Sequence, residues 1–403
     1  MKKIKLGFIG LGQRGNGWLG FVLNEWKEDL DVVAVCDSYS DRVEAAVKDI
    51  KKIRNYDATG YTNADDLLND ENVEAVIISA AWEAHIPLAV KSMNAGKITA
   101  LEVGGAYSLN DCWLLVRTYE QTKTPFFFME NCCYGKRELL ATGMARKGLF
   151  GEVVYCHGAY CHDLREEISY GVKNRHYRLR NYLTRNCDNY PTHELGPIAK
   201  ILDINRGNRM VSLVSVASKA RGLEEFVGSR DDLSALRGKR FAQGDVVETI
   251  ITCANGEVIS LKLDTTLPHP YCREFAVNGT RGFYNQQGNV ALTDGEFDHE
   301  KDIEEYYGSA EKYADCMPLL WRNMTKEQID SGHGGMDYLL LRAFVDAIRN
   351  GEEMPVDVYD AASWMAITCL SEESVSKGGA PVAIPDFTNG QWIMRERKDV
   401  VRF

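Results

Sequence analysis

Short apolar runs alternate with helix-spaced patterns through the first third of the chain. The runs Leu6-Gly7-Phe8-Ile9, Val32-Val33-Ala34-Val35-Cys36, Ala75-Val76-Ile77-Ile78, Ile98-Thr99-Ala100-Leu101 and Phe126-Phe127-Phe128-Met129 read as strands buried on both faces. Between them the pattern predicts helices over 16–26 and 41–53, one from Ile86 closing at Gly96, and one opened by Ser108-Leu109-Asn110-Asp111, which has capping-box form. Strands alternating with helices imply right-handed crossovers and a parallel sheet that binds its ligand at the strand C-terminal ends.

Beyond about residue 150 the period shortens to two. Strands over 246–252 and 258–263 flank Asn255-Gly256, and a strand over 274–277 runs into Asn278-Gly279; both dipeptides suit hairpin turns. An antiparallel sheet with one face covered by helices is expected. Late helices are expected over 336–349, stopped at Gly351, and over 361–375, stopped near Gly378. The polar stretch 222–243 reads as a surface excursion at a subunit contact. At 403 residues the chain exceeds what one core supports. The predicted fold is α/β, with a Rossmann domain over 1–130 and an α+β domain over 131–403 built on a large, mainly antiparallel sheet, its late helices packing back on the first.

The first strand runs straight into Gly10-Leu11-Gly12-Gln13-Arg14-Gly15, a GxGxxG turn. Gly10 allows the bend, Gly12 lets backbone N–H groups approach a pyrophosphate, and Gly15 lets helix pack on strand. Asp37 closes the second strand 22 residues after Gly15, where such folds hold the adenosine ribose. A 2'-phosphate would be repelled there, so NAD is preferred, with Arg42 keeping NADP open. The expected dinucleotide set is Gly10, Gly12, Gln13, Arg14, Gly15, Asp37, Trp82, His85, Glu102 and Asn131.

A net charge of -11 argues against nucleic acid and anionic membranes as partners. No apolar run reaches membrane-spanning length and no secretory leader fits before the first strand. The chain as given is therefore expected in the cytoplasm, unless a leader was removed. Eleven cysteines without a CxxC pair read as buried thiols in a reducing compartment. Cys156, His157, Cys161, His162, His176, Cys187 and His193 match no zinc spacing, so no metal is expected. There is no GxSxG for a serine nucleophile.

Leu195, Ile198, Ile201 and Leu202 recur at helical spacing, which starts a helix near Thr192 and puts His193 in its first turn. The positive helix end disfavours imidazolium, leaving a neutral ring that can accept a proton. Tyr160 and His162 alternate along a strand and point the same way.

The N-terminal half resembles the Gfo/Idh/MocA sugar oxidoreductases, which usually have Glu-Lys-Pro where this chain has Glu102-Val103-Gly104. The missing lysine removes an expected proton-transfer group. Met129-Glu130-Asn131-Cys132-Cys133-Tyr134, Gly158 to Arg165, Tyr190-Pro191-Thr192-His193-Glu194-Leu195-Gly196-Pro197 and His333-Gly334-Gly335-Met336-Asp337 together resemble glycoside hydrolase family 109, with Glu194 standing where glycine is expected. The resemblance implies substrate contacts at Glu130, Arg178, Tyr190 and Tyr271, and catalytic roles for His193, Tyr160 and His162. It implies hydrolysis of N-acetylgalactosaminides, or related galactosides and hexosaminides, by transient oxidation at C3, elimination and water addition. An NAD-dependent sugar oxidoreductase, with Tyr160 or His162 replacing the lysine, is the alternative. A non-catalytic NAD-dependent binding protein is a third. A homo-oligomer is expected, covering the open face of the second sheet.

Overall fold

Branched and aromatic side chains with no polar alternation form the first sheet. In the computed structural model, which describes residues 2–295 and 297–403, it comprises β1 (Ile4–Ile9), β2 (Leu30–Cys36), β3 (Thr59–Tyr61), β4 (Ala75–Ile78), β5 (Ile98–Leu101) and β6 (Phe126–Phe128). Their order is β3-β2-β1-β4-β5-β6, all parallel. Strand order reverses between β1 and β4, which opens a crevice at their C-terminal ends. The short edge strand β3 carries exposed Thr59 and Gly60, so the hydrophobic pattern gives no sign of it.

Helices Gln13–Glu25, Ser40–Arg54, Trp82–Asn94 and Leu109–Thr122 connect these strands. The last is capped by Ser108, whose hydroxyl accepts the Asp111 N–H at 3.1 Å. The turn after β1 demands glycine twice. Gly10 has φ of +94°, and a Cβ on Gly15 would stand 1.9 Å from the Gly10 carbonyl oxygen.

The second sheet comprises β7 (Val153–Cys161), β8 (Met210–Ala217), β9 (Val246–Cys253), β10 (Val258–Asp264), β11 (Ala276–Gly279), β12 (Gly282–Asn285), β13 (Val290–Leu292) and β14 (Val382–Ala383). Its order is β13-β12-β11-β7-β10-β9-β8-β14. All of its pairings are antiparallel except β7 with β10. Asn255-Gly256 turns β9 into β10 as expected, with Gly256 at φ +100°. Asn278-Gly279 does not form the next turn. Asn278 pairs with Phe283 inside the ladder, and the chain reverses at Thr280-Arg281. Gly279 is small for another reason: a Cβ there would lie 2.2 Å from the Phe150 carbonyl oxygen.

Helix Thr192–Ile201 lies on the inner face of this sheet, with Gly158 of β7 making room for Glu194. The excursion over 222–243 folds into helix Gly222–Gly228 and a 3-10 turn Asp231–Leu236, which tuck Leu223, Val227, Leu233 and Leu236 inward.

Helix Val358–Ser376 is buried along nearly its whole length and belongs to both halves. On one side the Ala106 N–H donates to the Met365 carbonyl at 3.1 Å; on the other, the Ser215 N–H donates to the Ser374 hydroxyl at 2.8 Å. Buried apolar residues of both segments form one continuous core. Among the described residues no helix is long and apolar enough to cross a membrane.

Candidate functional site

A cavity of about 690 Å³ opens at the strand-order reversal, walled by both sheets' segments. Gly10, Gly12, Gln13, Arg14, Asp37, His85, Glu102 and Asn131 line it from the first segment. Helix Gln13–Glu25 begins with Gly12 as a cap that offers no side chain, and its first turn holds no acidic residue. First-turn N–H groups have no acceptor within their helix, so this end suits an anion. A Cβ on Gly12 would meet nothing closer than the Arg42 guanidinium at 3.8 Å, so the backbone is open to close approach. Asp37 accepts the Leu11 N–H at 2.7 Å and the Tyr39 N–H at 3.0 Å, with Arg42 3.5 Å away. These features fit a dinucleotide. Gly15 and Trp82 serve from behind the wall: Gly15 through helix packing, Trp82 by stacking on Tyr190 with ring centroids 5.3 Å apart. Burial pushes His85 down to about 4, so its ring is neutral and bonds the Ala80 carbonyl at 2.9 Å.

Arg14 is more than a turn residue. It donates to Glu102 at 2.8 Å and to both Asp337 oxygens at 2.8 and 3.0 Å. Asn131 and His333 also reach Asp337, at 2.9 and 2.8 Å. Burial works against the Asp337 carboxylate, but His333 and Arg14 overcome it and hold its pKa well below the usual range. The His333-Gly334-Gly335 turn, all three at positive φ, thereby meets the GxGxxG turn, and His333 lines the cavity. The motif carries no local sign of this role, because nothing in a sequence signals an ion pair to a residue more than 300 positions away.

The other end of the cavity gathers the candidate substrate residues. Tyr160 is the penultimate residue of β7, His162 comes just after the strand, Tyr190 stands two residues before helix Thr192–Ile201, and His193 lies in its first turn. The Tyr160 ring centroid lies 4.8 Å from that of Tyr190, 5.5 Å from His193 and 6.2 Å from Tyr271. Tyr271 lies 5.3 Å from His162. Burial pushes the Tyr160 phenol up to about 12, with the Arg178 cation opposing. His162 is lowered by burial and then by Arg178, which keeps it neutral. Arg178 is no solvated basic residue: it is 9 % exposed and its guanidinium stands 5.2 Å over both Trp82 and Tyr190. Among the described residues its Nη1 has no hydrogen-bond partner, and Nε lies 3.1 Å from Glu167 without the alignment of a bond.

Glu130 occupies a different place from the rest. It is fully buried and sits behind His193, with Oε1 2.7 Å from Nδ1. Burial works to raise its carboxyl, but His193, Thr192 and the Cys132 N–H outweigh this and hold it below the usual range. With Glu130 ionised, Nδ1 carries the proton and Nε2 presents its lone pair, 3.2 Å from the Tyr190 hydroxyl. This carboxylate is a partner that spacing along the chain did not reveal.

Two groups of potential metal donors converge among the described residues, Glu130/Cys132/His193 and Cys161/His269/Glu274. Arg273 lies 3.3 Å from Cys132 in the first, and the Lys262 ammonium sits on Glu274 in the second. Each cation already does what a metal would do, and repels one.

The model for "Glycosyl hydrolase 109, C-terminal domain" matches residues 134–394, and that for "Oxidoreductase family, NAD-binding Rossmann fold" matches residues 4–128. An alpha-N-acetylgalactosaminidase of Tannerella forsythia is 38% identical, aligning over 98% of this chain and 88% of its own length. A glycosyl hydrolase family 109 protein of Parabacteroides distasonis is 37% identical, over 98% and 89%. Among solved structures, a levoglucosan dehydrogenase in complex with NADH and levoglucosan superimposes with a TM-score of 0.71 at 17% identity, covering 95% of this chain and 100% of that one. An apo scyllo-inositol dehydrogenase from Lactobacillus casei does so at 0.66 and 13%, over 95% and 98%. At such identities the structural likeness speaks for the fold alone.

Proposed function

The chain belongs to glycosyl hydrolase family 109, and on that premise we propose that it cleaves N-acetylgalactosaminides with the help of a resident NAD. One observation carries the proposal. At the end of a dinucleotide cavity, His193 is backed by buried Glu130, while Val103 lines the wall where the related oxidoreductases have a lysine. The proton-handling groups thus lie on the second segment, ringed by aromatic side chains.

Gly10, Gly12 and the first turn of helix Gln13–Glu25 would hold the pyrophosphate, and Asp37 the adenosine ribose, which favours NAD over its 2'-phosphorylated form. The cofactor supplies a reversible hydride acceptor, so that the sugar C3 alcohol becomes a ketone for part of each turnover and no net redox change results.

His193 accepts the C3 hydroxyl proton on Nε2 and returns it at the end, with Glu130 steadying the charge it gains. The C3 ketone acidifies the C2 hydrogen. Tyr160 removes that proton, and its own phenolic proton passes to neutral His162, whose Nδ1 lies 3.5 Å from the hydroxyl. The electron pair left on C2 expels the C1 oxygen substituent, water adds at C1, and the same groups run in reverse. Arg178, with a free N–H and a fixed position over two rings, stabilises negative charge developing on the sugar. The aromatic walls exclude solvent from the intermediate. This route has no need of the opposed carboxylate pair of ordinary glycosidases.

The test is hydrolysis of an aryl N-acetylgalactosaminide in D2O, with the sugar product examined by NMR. Deuterium at C2 without accumulation of NADH is the expected result. Hydrogen retained at C2 would overturn elimination, and NADH accumulating with a keto-sugar would establish the oxidoreductase instead.

A further inference from the structure

Part of the cavity wall over the proposed ribose site comes from the second segment. The stretch 165–184 leaves the end of β7 and crosses to the first sheet's side, lining the cavity with Glu167, Arg175, His176 and Tyr177. It is fastened at two places. Near Trp82, the Tyr177 ring lies 4.8 Å from the indole, and the Tyr107 hydroxyl donates to Asn181 at 2.7 Å. Near Asp37, Arg175 donates to both Asp41 oxygens at 2.8 and 3.0 Å, and Arg42 reaches the Asn174 carbonyl at 3.4 Å. The guanidinium groups of Arg175 and Arg42 both lie against the Tyr39 ring, at 4.5 and 4.9 Å. Tyr39 is itself tied to the ribose site, because its N–H donates to Asp37 at 3.0 Å. Arg175 takes a left-handed conformation, φ +53°, which a non-glycine residue adopts only when its surroundings hold it there.

We infer that residues 174–177 latch the adenosine half of the bound dinucleotide, with Arg175 as the catch on Asp41 and Tyr39. This rests on the NAD-dependent reading above. A dinucleotide held beneath this stretch leaves along the Tyr39 edge only after Arg175 parts from Asp41, so the contact acts on release. The chemistry gives such a latch a purpose: a reduced cofactor that escaped before its hydride was returned would strand an oxidised sugar. The Arg175–Asp41 pair is exposed, and an exposed ion pair contributes little. Together with the cation–ring contact, it calls for an effect of about tenfold on release, not an absolute block.

The experiment follows exchange of dinucleotide on the purified holoenzyme. Wild type, Arg175→Ala, Asp41→Ala and the double variant, each carrying bound NAD, are mixed with excess isotopically labelled NAD and sampled by rapid gel filtration. Each single variant is expected to exchange about tenfold faster, and the double variant no faster than either, because both lose the same contact. The exchanged pair Asp41→Arg with Arg175→Asp should recover part of the retention. Exchange rates equal to wild type in both single variants, or effects that multiply in the double, would overturn the latch while leaving the NAD reading intact. A wild-type protein that retains no dinucleotide would overturn both.

Discussion

On the proposed mechanism single side chains decide the chemistry, and the pair His193–Glu130 carries most of it. Glu130→Gln keeps the shape but removes the charge behind the imidazole, so kcat should fall by about 10²–10⁴ while bound NAD, measured by absorbance after denaturation, stays stoichiometric. His193→Ala should abolish turnover and also keep its dinucleotide. A second buried acid makes a different prediction. Burial raises Asp188 from 3.8 to about 7, against a backbone hydrogen bond from Tyr190. The folded protein therefore binds a proton that the unfolded chain releases, and stability present below about pH 4 is lost as pH rises toward about 7. Asp188→Asn should accordingly raise the melting temperature at pH 8, with the gain shrinking toward pH 4. At this scale the sequence disclosed His193 well, because Leu195, Ile198, Ile201 and Leu202 set its helical phase. Glu130 came only through the family resemblance, as a substrate contact, and its pairing with His193 was not legible, since a contact 63 residues distant leaves no periodicity behind.

Among elements, the buried parallel strands were legible because their apolar runs have no competing interpretation. Edge strand β3 was not, since a polar strand on a sheet rim resembles a loop. Asn278-Gly279 misled for a physical reason: the residues of a type I' turn also suit a crowded strand, where Gly279 clears the Phe150 carbonyl. The GxGxxG turn offers the sharpest test. A Cβ added at residue 15 would stand 1.9 Å from the Gly10 oxygen, so Gly15→Ala must push the helix away from β1. Calorimetry should show NAD affinity reduced at least tenfold, together with a lower melting temperature. Gly20→Ala, in the same helix but outside the cavity lining and with nothing within 4 Å of a Cβ, is the control that should leave NAD affinity unchanged and the melting temperature no lower.

For the molecule as a whole, the cavity is the joint property of two segments. A dinucleotide that touches both should stabilise them as one unit. At a concentration 100 times its Kd the gain is about 2.7 kcal/mol, which differential scanning calorimetry should register as one transition moved up by a few degrees. Two separate transitions, of which only one responds, would contradict this. Helix Val358–Ser376 makes such unity a matter of construction. It is bonded to the loop after β5 on one side and to β8 on the other, and it is buried on every face. Lobes spiked on a common axle cannot swing apart like jaws without dragging a greasy rod into water. Entry and exit of sugars must then rely on small movements at the rim, which makes this catalyst a purse with a drawstring and not a clam.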